Sequence, residues 1–218
     1  MKETISIILN IILVACALIV TGLVIRREFF GPKGSSSLSQ RIRKIENWKA
    51  LAANGHFQGL KDAPVKIIVF SDYQCSFCRE IQPTLKDISE KYSNAVAIIY
   101  RHFPLANHPH AYKAALAVEC AAKQDRFEQY HNLLFDNQEF LGDTSWNALA
   151  RAVKIPDINA FNDCLAQKYT AANVDTDLRT AQSLHINSIP TLLVNETMVS
   201  GVLSIQELDN LVQQALRK

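Results

Sequence analysis

The sequence lacks several features that define large functional classes. Only 7 of its 218 residues are glycine, and no stretch resembles the glycine-rich loops that cradle nucleotide phosphates. Lysine plus arginine number 23 against 21 acidic residues, a net charge of +2. This small excess argues against a nucleic-acid binder and against an acidic scavenger. There is also no internal repeat and no long low-complexity tract, so the composition is that of an ordinary folded protein.

Paired metal-binding cysteines are also missing. A structural zinc site takes four ligands, usually from two close pairs. Of the 5 cysteines in the chain, only Cys75 and Cys78 form a C-x-x-C pair, and no H-x-x-x-H motif follows them. The sequence therefore predicts no metal site.

Charged residues are absent from residues 5–25, and about 20 apolar helical residues suffice to cross a bilayer. Three interpretations compete: an uncleaved anchor, a cleaved signal peptide, and a lipoprotein signal that ends with "LVAC" at Cys16. The length of the run favours the anchor. No small-x-small cleavage site closes the run, which argues against a signal peptide, and the residues after Cys16 remain apolar, which argues against a lipoprotein signal. Arg26 and Arg27 alone would keep the following chain in the cytoplasm, but a long domain can translocate despite such charges.

The chain divides into a membrane anchor at 1–27, a tether with an amphipathic helix at 28–56, and a main domain at 57–218. The tether contains "GPKGSSS", which has nothing to bury. Apolar residues recur at helical spacing over 38–53 and predict one helix. This helix is either a spacer or a dimerisation helix, and a homodimer would favour isomerase activity.

The main domain alternates apolar runs with amphipathic segments. A helix is predicted from about Cys75, with a kink at Pro83, and residues 105–184 are predicted to be mainly helical. A last helix begins at Ser204, where Glu207 is placed for a capping box. Short apolar runs predict strands at 64–70, 95–100, 191–194 and 197–201. The initial β-α-β order indicates an α/β sheet with a helical insertion.

The spacing of Cys75 and Cys78 favours redox exchange over a structural disulfide. A bridge across two residues closes a small loop and restricts the unfolded chain little. Cys75 follows a strand at a helix N-terminus, where free N–H groups and the helix dipole stabilise a thiolate. Cys78 lies one turn further on, where it can resolve a mixed disulfide. We therefore expect a nucleophile at Cys75 and a resolving thiol at Cys78.

Several segments resemble the DsbA-like branch of the thioredoxin superfamily: "DAPVKIIVFSDYQCSFC", "YRHFPL", "HPHA", "AVECAAKQDRFEQYHNLLF" and "SIPTLLVN". The resemblance covers about 57–218. It implies a thioredoxin fold with an inserted helical domain, thiol–disulfide exchange outside the cytoplasm, and no bound cofactor. It also implies that Ser76 and Phe77, between the cysteines, tune the redox potential.

The same resemblance assigns roles to four further residues. Pro190 matches the cis-proline of the family, which brings the backbone of Ile189 beside the active cysteine for substrate binding. Cys120 and Cys164 lie where some members carry a second cysteine pair. They are expected to form a structural disulfide if the compartment is oxidising; otherwise they are two buried free thiols.

Val69 departs from the family pattern, because an acidic residue often stands six positions before the nucleophile. An apolar side chain at this position cannot accept the proton of the Cys78 thiol. We therefore expect burial to keep Cys78 protonated. Asp72 or Glu80 could take over this role, but we expect both to be solvated. His102, His108 and His110 form either a metal or substrate site or ordinary loop residues, and we favour loop residues. His56, His131 and His185 carry no signal.

The sequence thus predicts a thiol–disulfide oxidoreductase anchored in the bacterial inner membrane, with its catalytic domain in the periplasm. Its expected partners are extracytoplasmic proteins with cysteine pairs and a quinone-linked membrane protein that reoxidises it, with no role for nucleic acid. A reductase or isomerase is the nearest alternative. A non-catalytic binding or chaperone module is the alternative from another class.

Overall fold

The computed structural model describes residues 13–16, 18–22 and 38–218. Residues 13–16 and 18–22 are helical and exposed. Most of the predicted anchor at 5–25 and the tether at 31–37 lie outside the described residues. Among the residues described, none belongs to a helix with enough length and apolar character to traverse a bilayer. Residues from Arg41 to Lys218 form one compact unit, and the described residues before Arg41 belong to a second.

The regular elements alternate along the chain much as the apolar pattern predicts. The strands are β1 Ile42–Lys44, β2 His56–Gln58, β3 Val65–Ser71, β4 Val96–His102, β5 Thr191–Val194 and β6 Thr197–Ser200. The helices are α1 Leu38–Arg41, α2 Trp48–Ala52, α3 Ser76–Glu80, α4 Gln82–Lys91, α5 Ala111–Ala122, α6 Phe127–Asp136, α7 Trp146–Ala152, α8 Ile158–Ala166, α9 Ala171–Ser183 and α10 Ile205–Leu216. A short 3-10 helix spans Gln138–Phe140.

The strands form one mixed sheet in the order β1-β6-β5-β3-β4-β2. Strands β3 and β4 are parallel, and the other neighbours are antiparallel. The central strands are almost entirely buried because their valine and isoleucine side chains face apolar neighbours on both sides. The parallel pair requires a crossover, which α3 and α4 provide. The predicted α/β class and the four predicted strands are confirmed.

The single helix predicted over 38–53 is wrong. Helix α1 ends at Arg41, and Ile42 then pairs with Val199 on the free edge of β6. The main-chain hydrogen bonds of that edge stabilise a strand where the local pattern favours a helix. The dimerisation hypothesis therefore loses the helix on which it depended. Strand β2, which the sequence did not predict, covers the opposite edge, so the sheet already begins within the stretch assigned to the tether.

The helix predicted from Cys75 with a kink at Pro83 is two helices instead, and the predicted capping box at Ser204 is confirmed. Helix α3 ends before Ile81, and Pro83 lies in the first turn of α4, where its missing N–H is not needed. At the last helix, the Ser204 side chain accepts from the backbone of Glu207, whose carboxylate accepts from the Ser204 backbone. This capping box satisfies donors that the helix itself leaves free.

The helices between β4 and β5 form the predicted insertion. Their core contains Tyr130 and Phe161, both fully buried. Cys120 on α5 and Cys164 on α8 form a disulfide with an S–S distance of 2.04 Å and a Cα–Cα distance of 5.9 Å. The predicted bridge is confirmed, and it lies among buried apolar side chains.

Candidate active site at Cys75 and Cys78

Cys75 stands where an extended chain enters a helix. It is the N-cap of α3, with φ −83° and ψ 119°. The backbone N–H groups of Cys78 and Arg79 donate to its carbonyl at 3.0 and 3.2 Å. The Cys75 sulfur therefore lies at the positive end of the helix, near the backbone N–H groups of Phe77 and Cys78. The predicted placement at a helix N-terminus is confirmed.

The two thiols have opposite electrostatic surroundings. A hydrogen bond from the Cys78 thiol, helped by the backbone N–H groups of Cys78 and Phe77, lowers the pKa of Cys75 to about 6 against the opposing effect of burial. Burial, followed by the neighbouring Cys75, raises the pKa of Cys78 far above that of an ordinary thiol. The prediction that Cys78 stays protonated is confirmed.

Solvent exposure also distinguishes the two cysteines, and it too favours Cys75 as the nucleophile. Cys75 is 7% exposed and Cys78 is 0% exposed, so an incoming sulfur reaches Cys75 first. Ser76 and Phe77 between them are exposed, and Phe77 presents an apolar ring to solvent. This arrangement supplies an accessible thiolate and, behind it, a thiol that can attack a mixed disulfide.

Pro190 lies at the same edge of the sheet as the cysteine loop. The Ile189–Pro190 peptide bond is cis, as the resemblance implied. Phe70 pairs with Thr191, so the residues just before β5 lie opposite the end of β3, where the loop to Cys75 begins. Ile189 belongs to the same buried apolar cluster as Cys75. Within the described part of the chain its backbone makes no hydrogen bond. Its role in binding substrate remains a prediction.

Gln138 is a site residue that the sequence did not reveal. Its side chain is buried, and Nε2 donates to the carbonyls of Tyr73 and Cys75 at 2.8 and 2.9 Å. Gln138 thus joins the helical insertion to the cysteine loop. No local signal could have identified it, because its partners lie about 60 residues earlier in the chain.

Tyr73 ties the same loop to α6. Its hydroxyl shares a hydrogen bond of 2.8 Å with Nδ1 of His131. Burial lowers the pKa of His131 to about 3, helped by the nearby His102 and His56. The ring is therefore neutral at physiological pH, and its contact with Tyr73 adds a second support for the loop.

The expectation that Asp72 is solvated is wrong. Its side chain is fully buried and accepts from the backbone N–H groups of Gln74 and Leu105 at 2.7 and 2.8 Å. The ring of His108 lies 2.7 Å from the same carboxylate. These donors compensate for the burial of the charge, and the charge of Asp72 acts to raise the pKa of Cys75. Glu80 is exposed, as expected, and Val69 is buried.

The three histidines of the "RHFPLANHPHAY" segment do not form one site. His108 contacts Asp72, and His110 precedes α5, where its backbone N–H donates to Gln74. His102 instead lies beside Glu119 and His56. Nothing in the sequence pointed to a function for His56.

A family model described as "Thioredoxin" matches residues 52–214. The chain belongs to the thioredoxin family. The catalytic domain of Proteus mirabilis ScsC is similar, with 26% identity, a TM-score of 0.66, and coverage of 77% of this chain and 91% of that chain. BdbD from Bacillus subtilis is similar in fold, with 23% identity, a TM-score of 0.68, and coverage of 74% and 92%.

A curated relative gives a partial match. The Na(+)/H(+) antiporter NhaA 3 of Salinispora tropica is 30% identical over 161 residues, which are 73% of this chain and 24% of that protein. The chain therefore spans about a quarter of the length of this relative. The chain thus combines the thioredoxin family with a C-x-x-C pair at the start of a helix.

Proposed function

We propose that this thioredoxin-family protein oxidises the thiols of substrate proteins outside the cytoplasm. The observation that carries the proposal is the position of Cys75 at the N-cap of α3, where the Cys78 thiol and two backbone N–H groups lower its pKa to about 6. A thiolate stabilised in the reduced protein makes the disulfide a stronger oxidant, because reduction then yields a more stable product. A low-pKa thiol is also a good leaving group when the mixed disulfide is resolved by substrate.

The exchange proceeds in two displacements. A substrate thiolate attacks the Cys75 sulfur of the Cys75–Cys78 disulfide, and the S–S bond breaks. Cys78 leaves with the electron pair and takes up a proton, as its buried environment requires. A second substrate thiolate then attacks the substrate sulfur of the mixed disulfide and displaces the Cys75 thiolate. The substrate gains one disulfide, and the protein holds two reduced cysteines.

Substrate binding is part of the same proposal. Phe77 is 60% exposed beside the nucleophile and offers apolar surface to a passing peptide. The free backbone groups of Ile189, before the cis-proline Pro190, offer hydrogen bonds to an extended segment. Ser76 acts as a tuning residue through its position next to Cys75. A quinone-linked membrane protein is proposed to remove the two electrons and restore the disulfide.

The proposed location is the periplasmic side of a bacterial inner membrane. The Cys120–Cys164 bridge supports an oxidising compartment. The uncharged residues 5–25 support a single-pass anchor. A periplasmic thioredoxin-like protein from Salmonella enterica has a similar structure, with 19% identity and a TM-score of 0.65.

The reduction potential of the Cys75–Cys78 pair tests the direction of exchange. The full-length chain is equilibrated in glutathione buffers and its redox state is read by alkylation. We expect a value near the DsbA end, about −120 mV, whereas a value near that of thioredoxin, about −270 mV, would identify a reductase and overturn the proposal.

A matched pair of variants tests whether exchange occurs at Cys75. Cys75→Ser should abolish oxidation of a peptide with two thiols, because no mixed disulfide can form at serine. Cys16→Ser should leave the rate unchanged. If Cys75→Ser keeps the activity of the protein, a non-catalytic binding or chaperone module is the better description.

A further inference from the structure

A second cluster of polar side chains lies between the sheet and the helical insertion, on residues that the proposed exchange reaction does not use. His56 lies on β2, and His102 is the last residue of β4. His56 pairs with Tyr100, so His56 and His102 are diagonal neighbours on one face of the sheet. Glu119 reaches this face from α5, and Asn173 reaches it from α9.

Three atoms that could bind a metal ion, two imidazole nitrogens and one carboxylate oxygen, converge within this cluster. Nε2 of His56 and Nε2 of His102 both contact Oε1 of Glu119, the latter at 2.9 Å. One nitrogen from each histidine and one carboxylate oxygen lie within 4.8 Å of one another. His102 and Glu119 are 3% and 5% exposed, so these groups are buried between the sheet and the helical insertion.

The surrounding residues orient the ligand atoms. The His56 ring stacks on Phe127, with ring centroids 3.8 Å apart and an interplanar angle of 11°. Asn173 donates to the second carboxylate oxygen of Glu119 at 2.6 Å. Such outer contacts orient metal ligands and strengthen binding. A pocket of about 390 Å³, lined partly by His56, Glu119 and Asn173, leaves one side of the cluster accessible.

The donor set favours a particular class of ion. Two imidazole nitrogens with one carboxylate suit zinc and similar first-row divalent ions, with an open position for water. Calcium and magnesium prefer sites made of oxygen alone. Without an ion, the same atoms form a buried hydrogen-bonded network around one carboxylate. In a metal-bound form each Nε2 would present a lone pair, and its proton would move to Nδ1 of the same ring or, from a protonated ring, to solvent.

We propose that His56, His102 and Glu119 bind a Zn²⁺-like divalent ion that joins the β2–β4 edge of the sheet to the helical insertion. The site is separate from the Cys75–Cys78 pair in its residues and does not rest on the proposed oxidase function. The ion acts as a structural link between elements that are distant in the chain, so its binding stabilises the folded state.

The test measures Zn²⁺ binding to the chelator-treated full-length chain by titration calorimetry. The Cys75–Cys78 pair is first oxidised and Cys16 is alkylated, so that no thiol can bind the metal. We expect one Zn²⁺ per chain. His56→Gln and Glu119→Gln should each weaken the affinity by about tenfold or more, since loss of even an outer partner of a metal ligand has an effect of this size. A Zn²⁺ concentration that just saturates the unchanged chain should raise its Tm by more than that of His56→Gln or Glu119→Gln.

His185→Asn is the matched control. It removes an exposed imidazole outside the cluster, and asparagine tolerates the positive φ of 52° at this position. Its affinity for Zn²⁺ should equal that of the unchanged chain. His56 is partly exposed at a sheet edge, so His56→Gln decides the matter if Glu119→Gln fails to fold. Absence of stoichiometric binding, or equal binding by His56→Gln and the unchanged chain, would overturn the proposal.

Discussion

Cys75 and Cys78 have two residues between them at the start of a helix, whereas Cys120 and Cys164 are 44 positions apart and join two helices of the insertion. All four are buried in the same apolar cluster. The first pair holds a thiolate beside a protonated thiol; the second is a disulfide. Burial alone therefore does not decide what a cysteine pair does. Chain separation decides how much a bridge stabilises, and local N–H donors decide how reactive a thiol is.

The largest expected difference is in alkylation of the reduced Cys75–Cys78 pair. Because the thiolate is the nucleophile and the pKa of Cys75 is about 6, its rate should rise with pH through a midpoint near 6 and then level off. Below this midpoint the thiol is protonated and unreactive. Cys78 should stay unmodified through neutral pH, because burial raises its pKa. Iodoacetamide labelling followed by peptide mass spectrometry measures both rates.

If the alkylation rate of Cys75 instead rises through a midpoint near that of an unperturbed thiol, about pH 8.5, the helix N-terminus does not activate Cys75 and the comparison between the two pairs fails.

Removal of the long-range bridge should affect stability rather than exchange. The double variant Cys120→Ala, Cys164→Ala should lose about 4 kcal/mol of unfolding free energy, because a long closed loop no longer restricts the unfolded chain. Urea denaturation with the Cys75–Cys78 pair oxidised in both proteins measures the loss. The rate of thiol exchange at a temperature where the variant is folded should be retained. A loss below about 1 kcal/mol would contradict the entropic account of this bridge.

Gln138→Ala should have an intermediate effect, because it leaves the Tyr73 carbonyl without its donor and removes one of the donors to the Cys75 carbonyl. Loss of a partner from buried polar groups costs about 1–3 kcal/mol, and urea denaturation measures it. The alkylation midpoint of Cys75 should also broaden or move as the loop loosens.

Gln124→Ala is the matched control for Gln138→Ala. Gln124 also bonds to backbone groups, those of Asp157, but these bonds are exposed to solvent and lie far from the cysteine loop in sequence. Its removal should cost less than about 1 kcal/mol, since water replaces the lost contacts. Equal costs for the two glutamines would mean that Gln138 has no special role in the loop.

The smallest expected effect is that of Asp72→Asn. The charge of Asp72 acts to raise the pKa of Cys75, so its removal should move the alkylation midpoint to lower pH by a fraction of a pH unit. Asp87→Asn, at an exposed position on α4, should leave the midpoint unchanged. A midpoint that moves to higher pH would show that hydrogen bonds through Asp72 matter more than its charge.

Sequence reasoning succeeded where the signal is local or where a family pattern fixes a position. The β-branched runs predicted the central strands, and Cys75 was correctly placed at a helix N-terminus. The resemblance also located the cis bond before Pro190 and the Cys120–Cys164 bridge. It failed at 38–53, where the pattern predicted a helix and the edge of β6 stabilises a strand instead.

The sequence by itself determined the reactive pair, because the residues that lower the pKa of Cys75 lie within its own helical turn. Only the tertiary structure decided the burial of Asp72, the reach of Gln138 into the cysteine loop, and the meeting of His56 and His102 with Glu119. Each of these depends on elements distant in the chain that meet only when the helical insertion packs on the sheet. Local spacing carries no information about such meetings, because it describes only neighbours along one helix or strand.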